Sequence, residues 1–231
     1  MCDTCGCHSP SDPLIVEVNQ SLLAANDEAA HANHHRIEAM GAVGLNLISS
    51  PGSGKTTLLE KTIEMLGRDL RIGVIEGDIE TELDAERIRA KGVPVVQLTT
   101  GGACHLDAPL VGKGLDALEG QLDGAGLDLV VIENVGNLVC PATFALGEHQ
   151  RVVLLSVPEG QDKPAKYPGV FRTSQIFLLT KTDLLPYFDF DIAAASAEAR
   201  RINPALQIMA LSATSGEGME AWFDFLRQIT K

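Results

Sequence analysis

From residue 44 onward, short apolar runs alternate with amphipathic stretches: GLNLIS (44–49), LRIGVIE (70–76), PVVQL (94–98), LDLVVIE (127–133), RVVLLSV (151–157), QIFLLT (175–180) and LQIMAL (206–211). A strand with one wet face alternates apolar and polar residues, and these runs do not. Continuous Val, Ile and Leu mark strands buried on both faces, as in a parallel sheet covered by helices. Helical patterns between most of the runs complete the alternation of a doubly wound sheet. The pattern predicts one α/β domain over residues 44–231, with a mostly parallel sheet flanked by helices. Ahead of it, residues 16–43 read as an amphipathic helix packed on that domain, its apolar face carrying Val18, Leu22, Leu23, Ala30 and Ile37. Residues 1–15, rich in Cys, Asp, Ser and Pro, read as a flexible tail.

Composition narrows the function. Hydrophobic residues make up 45% of the 231, enough for a substantial core. The chain holds no apolar run long enough to cross a bilayer and no basic-then-apolar leader, so no membrane partner and a cytoplasmic location are expected. A formal net charge of −13 argues against a nucleic-acid partner, which needs clustered Lys and Arg, but leaves room for a small anion in a local positive pocket. Of the five cysteines, Cys2, Cys5 and Cys7 crowd the tail. A reducing compartment and the spacing Cys-x2-Cys-x-Cys favour metal binding over a disulfide framework.

The most specific motif is SSPGSGKTT, residues 49–57, lying between the first strand and a helix. Gly52 and Gly54 let the backbone curl with its N–H groups pointing inward, joined by Ser53 and Thr57. Lys55 reaches the outer phosphates of a nucleoside triphosphate, and the Thr56 hydroxyl is placed to ligate Mg²⁺. The motif's usual first glycine is Ser49 here. Nucleotide hydrolysis needs further parts, and they follow in order. Asp78 ends the second strand within EGDIETE, within reach of Mg²⁺. Glu133 ends the fourth strand as a magnesium-facing acid and runs into NVG, where the Gly136 N–H is placed to meet a γ-phosphate. The residues TKTD (180–183) resemble the guanine-specificity motif NKxD: Asp183 would accept from guanine N1–H and N2–H₂, donors that adenine lacks, and the Lys181 stem would lie along the base. Thr180 replaces that motif's Asn. LSATSGEG (211–218) supplies Ser212, Ala213 and Thr214, with the Ala213 N–H toward guanine O6.

Cys104, with the adjacent His105, and Cys140, seven residues past Glu133, place soft ligands beside these switch segments. Cys and His favour Zn²⁺, Ni²⁺ and Cu⁺ over Mg²⁺. His31, His34 and His35 lie on the N-terminal helix. His31 and His35 are four apart, on one face, and read either as metal chelators or as solvated side chains.

Together CxxCxC, SSPGSGKTT, EGD, CHLDA, ENVGNLVCP, PEGQDKPAKYP, TKTD and SATSGEG resemble, nearly end to end, the hydrogenase-maturation GTPase family HypB. The resemblance implies a P-loop fold of the SIMIBI-like GTPase type and slow, Mg²⁺-dependent hydrolysis of GTP to GDP and phosphate. It implies a nickel metallochaperone acting with the hydrogenase large-subunit precursor and other nickel accessory proteins, and a homodimer promoted by GTP. It assigns Cys104, His105 and Cys140 to a Ni²⁺ or Zn²⁺ site at the dimer interface, and Cys2, Cys5 and Cys7 to a nickel site in the tail. Pro109 stands where some members carry a further histidine, and the three histidines of 31–35 fall short of a storage tract. A related metallochaperone for a urease or cobalamin enzyme and a passive metal-binding protein are the alternatives. CHLDA and the tail speak against the first, and Lys55, Thr56, Asp78 and Glu133 against the second.

Overall fold

The computed structural model describes the backbone of residues 13–78 and 82–231, and side chains from residue 21 onward within that range. The tail cysteines Cys2, Cys5 and Cys7 lie outside the described residues. In chain order the elements are α1 (Pro13–Ala39), β1 (Val43–Ser49), α2 (Lys55–Leu66), β2 (Ile72–Asp78), α3 (Leu83–Arg89), β3 (Val95–Thr99), α4 (Ala108–Glu119), β4 (Leu129–Glu133), β5 (Gln150–Ser156), α5 (Lys163–Lys166), α6 (Pro168–Thr173), β6 (Ile176–Thr180), α7 (Ile192–Ile202), β7 (Gln207–Ala210) and α8 (Met219–Ile229). Each of the seven apolar runs forms a strand. They pair in parallel in the order β3-β2-β4-β1-β5-β6-β7.

Neighbouring side chains on one strand serve opposite layers, which is why the runs are continuous rather than alternating. On β4, Val131 packs with Leu58, Ile63, Ile88, Trp222 and Leu226 of α2, α3 and α8. Val130 and Ile132 face the other way, onto Val111, Leu115 and Leu118 of α4 and Ile37 of α1. Farther along that face, Val153, Leu155, Phe177 and Leu179 meet Phe171 of α6 and Ala195 and Ala199 of α7. Burying each such side chain stabilises by about 1.5–3 kcal/mol. The one tryptophan stays satisfied, because its Nε1–H donates to Thr62 Oγ1 at 2.9 Å.

Helix α1 departs from the expected apolar face. Leu22 is exposed, and the stripe turned inward is Asn26, Ala30, Asn33 and Ile37. Two asparagines survive there because loop carbonyls are waiting. Asn26 donates to Ala145 O (2.8 Å) and accepts from Ala108 N (2.9 Å), while Asn33 donates to Ala108 O (2.8 Å) and Leu146 O (3.0 Å). A buried amide costs little when its partners are in place. These bonds fasten α1 to the start of α4 and to the loop before β5.

Candidate nucleotide cleft and metal cluster

The C-terminal ends of β1, β2, β4 and β6 converge on a cleft of about 430 Å³. Gly52, Gly54, Lys55, Thr56, Thr57, Asp78, Glu133, Gly136 and Lys181 line it. The loop between Ser49 and Lys55 turns through Gly54, whose φ of 97° an L side chain rarely adopts. Ser49, at the position of the motif's missing glycine, is fully buried and acts as a hub. Its Oγ accepts from Lys55 Nζ (2.9 Å) and from Ser53 Oγ (2.5 Å), so both side chains are set before any phosphate arrives.

Thr56 and Glu133 meet directly, the threonine hydroxyl donating to Glu133 Oε1 at 2.9 Å. Beside Glu133, in parallel register across β2 and β4, stands Glu76, which sequence reading passed over. Both carboxylates are buried, and each keeps an Oε2 with no hydrogen-bond partner. Burial, and then the neighbouring Glu133, push the Glu76 carboxyl far above the usual carboxylate range, while burial also raises Glu133. Glu76, Glu133 and Asp84 bring an oxygen each within 4.8 Å of one another. Hard oxygens, orphaned and buried beside a hydroxyl, fit a divalent cation such as Mg²⁺. The only sequence signal for Glu76 was an acid inside an otherwise apolar strand.

The segment after Glu133 touches both halves of the site. Gly136 lies on the phosphate loop so closely that a Cβ there would sit 2.9 Å from Pro51 Cα, so only glycine fits. Asn134 Oδ1 accepts from Leu106 N (3.1 Å), and Asn137 Nδ2 donates to Cys104 O (3.2 Å). The loop carrying Cys104 and His105 is thus laced to the loop leaving the nucleotide acid. These asparagines were also missed; they sit inside ENVGN, whose sequence gives no hint of what each side chain reaches.

At the far end of that lacing, Cys104 Sγ is 3.2 Å from Cys140 Sγ and 3.8 Å from His105 Nδ1. All three are half-buried, and their ligand atoms cluster within 4.8 Å. His105 stacks on Phe144, and burial lowers its pKa, favouring the neutral imidazole that ligates metal.

On the other flank, Thr180 Oγ1 donates to Ser53 O (2.7 Å) and Lys181 Nζ to Gly52 O (2.6 Å), so the TKTD segment props the phosphate loop. Thr180 therefore braces the loop at the position where the motif expects an asparagine. Asp183 Oδ1 accepts from Ser212 Oγ (2.6 Å), joining this segment to the 211–218 loop that carries Ala213 and Thr214. If Asp183 reads guanine, Asp183→Ala leaves two base donors unpaired and weakens GTP binding by about 1–3 kcal/mol, with ATP binding hardly changed. Titration with both nucleotides checks this, and equal wild-type affinity for the two would refute the base assignment.

The same architecture is found in known proteins. The family model described as "CobW/HypB/UreG, nucleotide-binding domain" matches residues 44–210. A hydrogenase maturation factor HypB from Azotobacter chroococcum is 54% identical over 96% of this chain and 72% of its own length. The chain belongs to the HypB family. HypB from Escherichia coli is 48% identical over 96% of this chain and 76% of its own. Among solved structures, HypB from Helicobacter pylori in complex with nickel superposes with a TM-score of 0.85 at 38% identity, covering 89% of this chain and 95% of that one. Among the described residues no helix is long and apolar enough to cross a membrane.

Proposed function

We propose that this chain is a cytoplasmic, GTP-hydrolysing nickel metallochaperone that helps insert nickel into a [NiFe]-hydrogenase precursor. The observation that carries the reading is one loop, 133–140, with a magnesium-type acid at its start and a thiol ligand at its end. Family membership and the relatives named hydrogenase maturation factor supply the context.

In this reading Lys55 and the inward N–H groups of the phosphate loop hold the β- and γ-phosphates of GTP. Thr56, Glu133 and Asp78, with Glu76 and Asp84 beside Glu133, would hold Mg²⁺, which supplies positive charge to the phosphates when bound. Glu133 and Gly136 follow the γ-phosphate, and the 134–140 segment carries that change to Cys140. Water displaces GDP from the γ-phosphorus, giving phosphate. Among the described residues neither an arginine finger nor a catalytic base is evident, and slow intrinsic turnover is the expectation in this reading. Nickel is cargo: Cys2, Cys5 and Cys7 capture it, and Cys104, His105 and Cys140 hold Ni²⁺ or Zn²⁺ in a set of three that a second copy of the chain completes on GTP-driven dimerisation. The partners are the hydrogenase large-subunit precursor and other nickel accessory proteins.

Cells lacking the protein should lose most hydrogenase activity and regain it with added nickel or with the wild-type gene. Full activity without the protein at low nickel would contradict the reading.

A further inference from the structure

A second group of metal-ligating side chains lies outside everything assigned above. His34 and Glu38 stand one turn apart on α1, and His149 immediately precedes β5. The fold brings the three together across the chain, with a ligand atom from each inside 4.8 Å of the others. His34 and His149 border an open depression of about 700 Å³, also lined by Asp27, His31 and Arg151. Of the three histidines on α1, His34 is the one in the cluster. His35 Nδ1 lies 3.1 Å from Glu38 Oε2, the carboxylate oxygen other than the one nearest His34.

The hydrogen bonds decide which nitrogens are free. His34 Nδ1 lies 3.2 Å from Gly147 O. A carbonyl only accepts, so the hydrogen sits on Nδ1 and the Nε2 lone pair is available, 3.7 Å from Glu38 Oε1. An imidazole anchored to a carbonyl through one nitrogen is in the state that ligates metal through the other. His149 differs. Its ring lies over His34 with centroids 4.2 Å apart, and its Nδ1 accepts from Gly44 N at 2.9 Å. Neutral His149 therefore keeps its hydrogen on Nε2.

We propose that His34, Glu38 and His149 form a further transition-metal site that takes Ni²⁺ or Zn²⁺ without any thiol. Two imidazoles and one carboxylate suit borderline cations better than Mg²⁺. His34 and Glu38 seize the ion first, since their spacing on the helix already brings them together. His149 joins by moving its hydrogen from Nε2 to Nδ1 and giving up the Gly44 contact. Nδ1 cannot keep its lone pair for Gly44 while neutral Nε2 offers one to a metal, so metal capture carries a tautomer exchange as its signature.

The site does not depend on the nucleotide reading, and its test needs no GTP. In the full chain, Cys2, Cys5, Cys7, His8, His31, Cys104, His105 and Cys140 are all replaced by Ala, which leaves His34, His35 and His149 as the remaining imidazoles. Titration of this chain with Ni²⁺ and with Zn²⁺ should give one bound ion per chain. His34→Ala or Glu38→Gln should weaken binding at least about tenfold, whereas His35→Ala should not weaken it. Nitrogen-15 spectra of the His149 ring should show the hydrogen on Nε2 before Zn²⁺ and on Nδ1 after. No bound ion, or binding indifferent to both His34→Ala and Glu38→Gln, would overturn the site. Should those variants fail to fold, an unchanged His149 tautomer in saturating Zn²⁺ would overturn it alone.

Discussion

Lys55→Ala is expected to abolish GTP turnover while leaving the fold intact. The lysine begins α2, buried but aimed along the phosphate loop at Ser49 rather than into the hydrophobic layers. Removing it strips the phosphate loop of its own cation, the ammonium held at Ser49, although Arg87 and Lys181 also line the cleft. Losing one preorganised group of that kind costs on the order of 10²–10³ in rate. The loop should keep its shape, because Ser53 still bonds Ser49 and Thr180 still bonds the Ser53 carbonyl. Single-turnover hydrolysis and thermal melting of the two proteins together check this. Undiminished turnover would remove the cleft from the chemistry, and a collapsed melting transition would mean that the lysine holds structure.

Much of this site could be read from the sequence because its signals are local. A phosphate loop is contiguous, so Ser49 to Thr57 announced itself, as did the strand-end acids Asp78 and Glu133. The strands were legible because a sheet buried on both faces needs unbroken apolar runs. What escaped depends on contacts distant in sequence. Glu76 matters because β2 lies beside β4, a pairing that no local pattern encodes. Asn134 and Asn137 matter because the 104–107 loop folds against them. His149 meets His34 only once α1 is fastened by Asn26 and Asn33, and periodicity treats both of those as solvent-facing. Leu22 was misplaced for the same reason: hydrophobicity alone cannot know that loop carbonyls will receive two amides.

Nucleotide state should change the metal affinity of the Cys104/His105/Cys140 cluster. Glu133 touches Thr56 at one end of its loop, Gly136 lies on Pro51, and Asn137 holds the Cys104 carbonyl. A shift of the loop when the γ-phosphate leaves must therefore move Cys140, Cys104 or both. Coupling of this kind is typically about 1–3 kcal/mol, roughly 5–150-fold in affinity, and it is reciprocal: metal must change the preference for GTP over GDP by the same factor. Asn137→Ala removes one of the two lacing bonds, leaving Asn134 on Leu106 and every ligand side chain in place, and should reduce the factor.

The central claim is that the nucleotide controls the metal, and one measurement addresses it most directly. Nickel affinity is determined in a chain with Cys2, Cys5 and Cys7 replaced by Ala and His34 replaced by Ala, once with GDP and once with a non-hydrolysable GTP analogue, while dimer formation is followed in parallel. A ratio of at least about fivefold between the two states is the predicted result. A ratio within about twofold of unity, with the dimer formed, would contradict the account, because such coupling is well below the typical range.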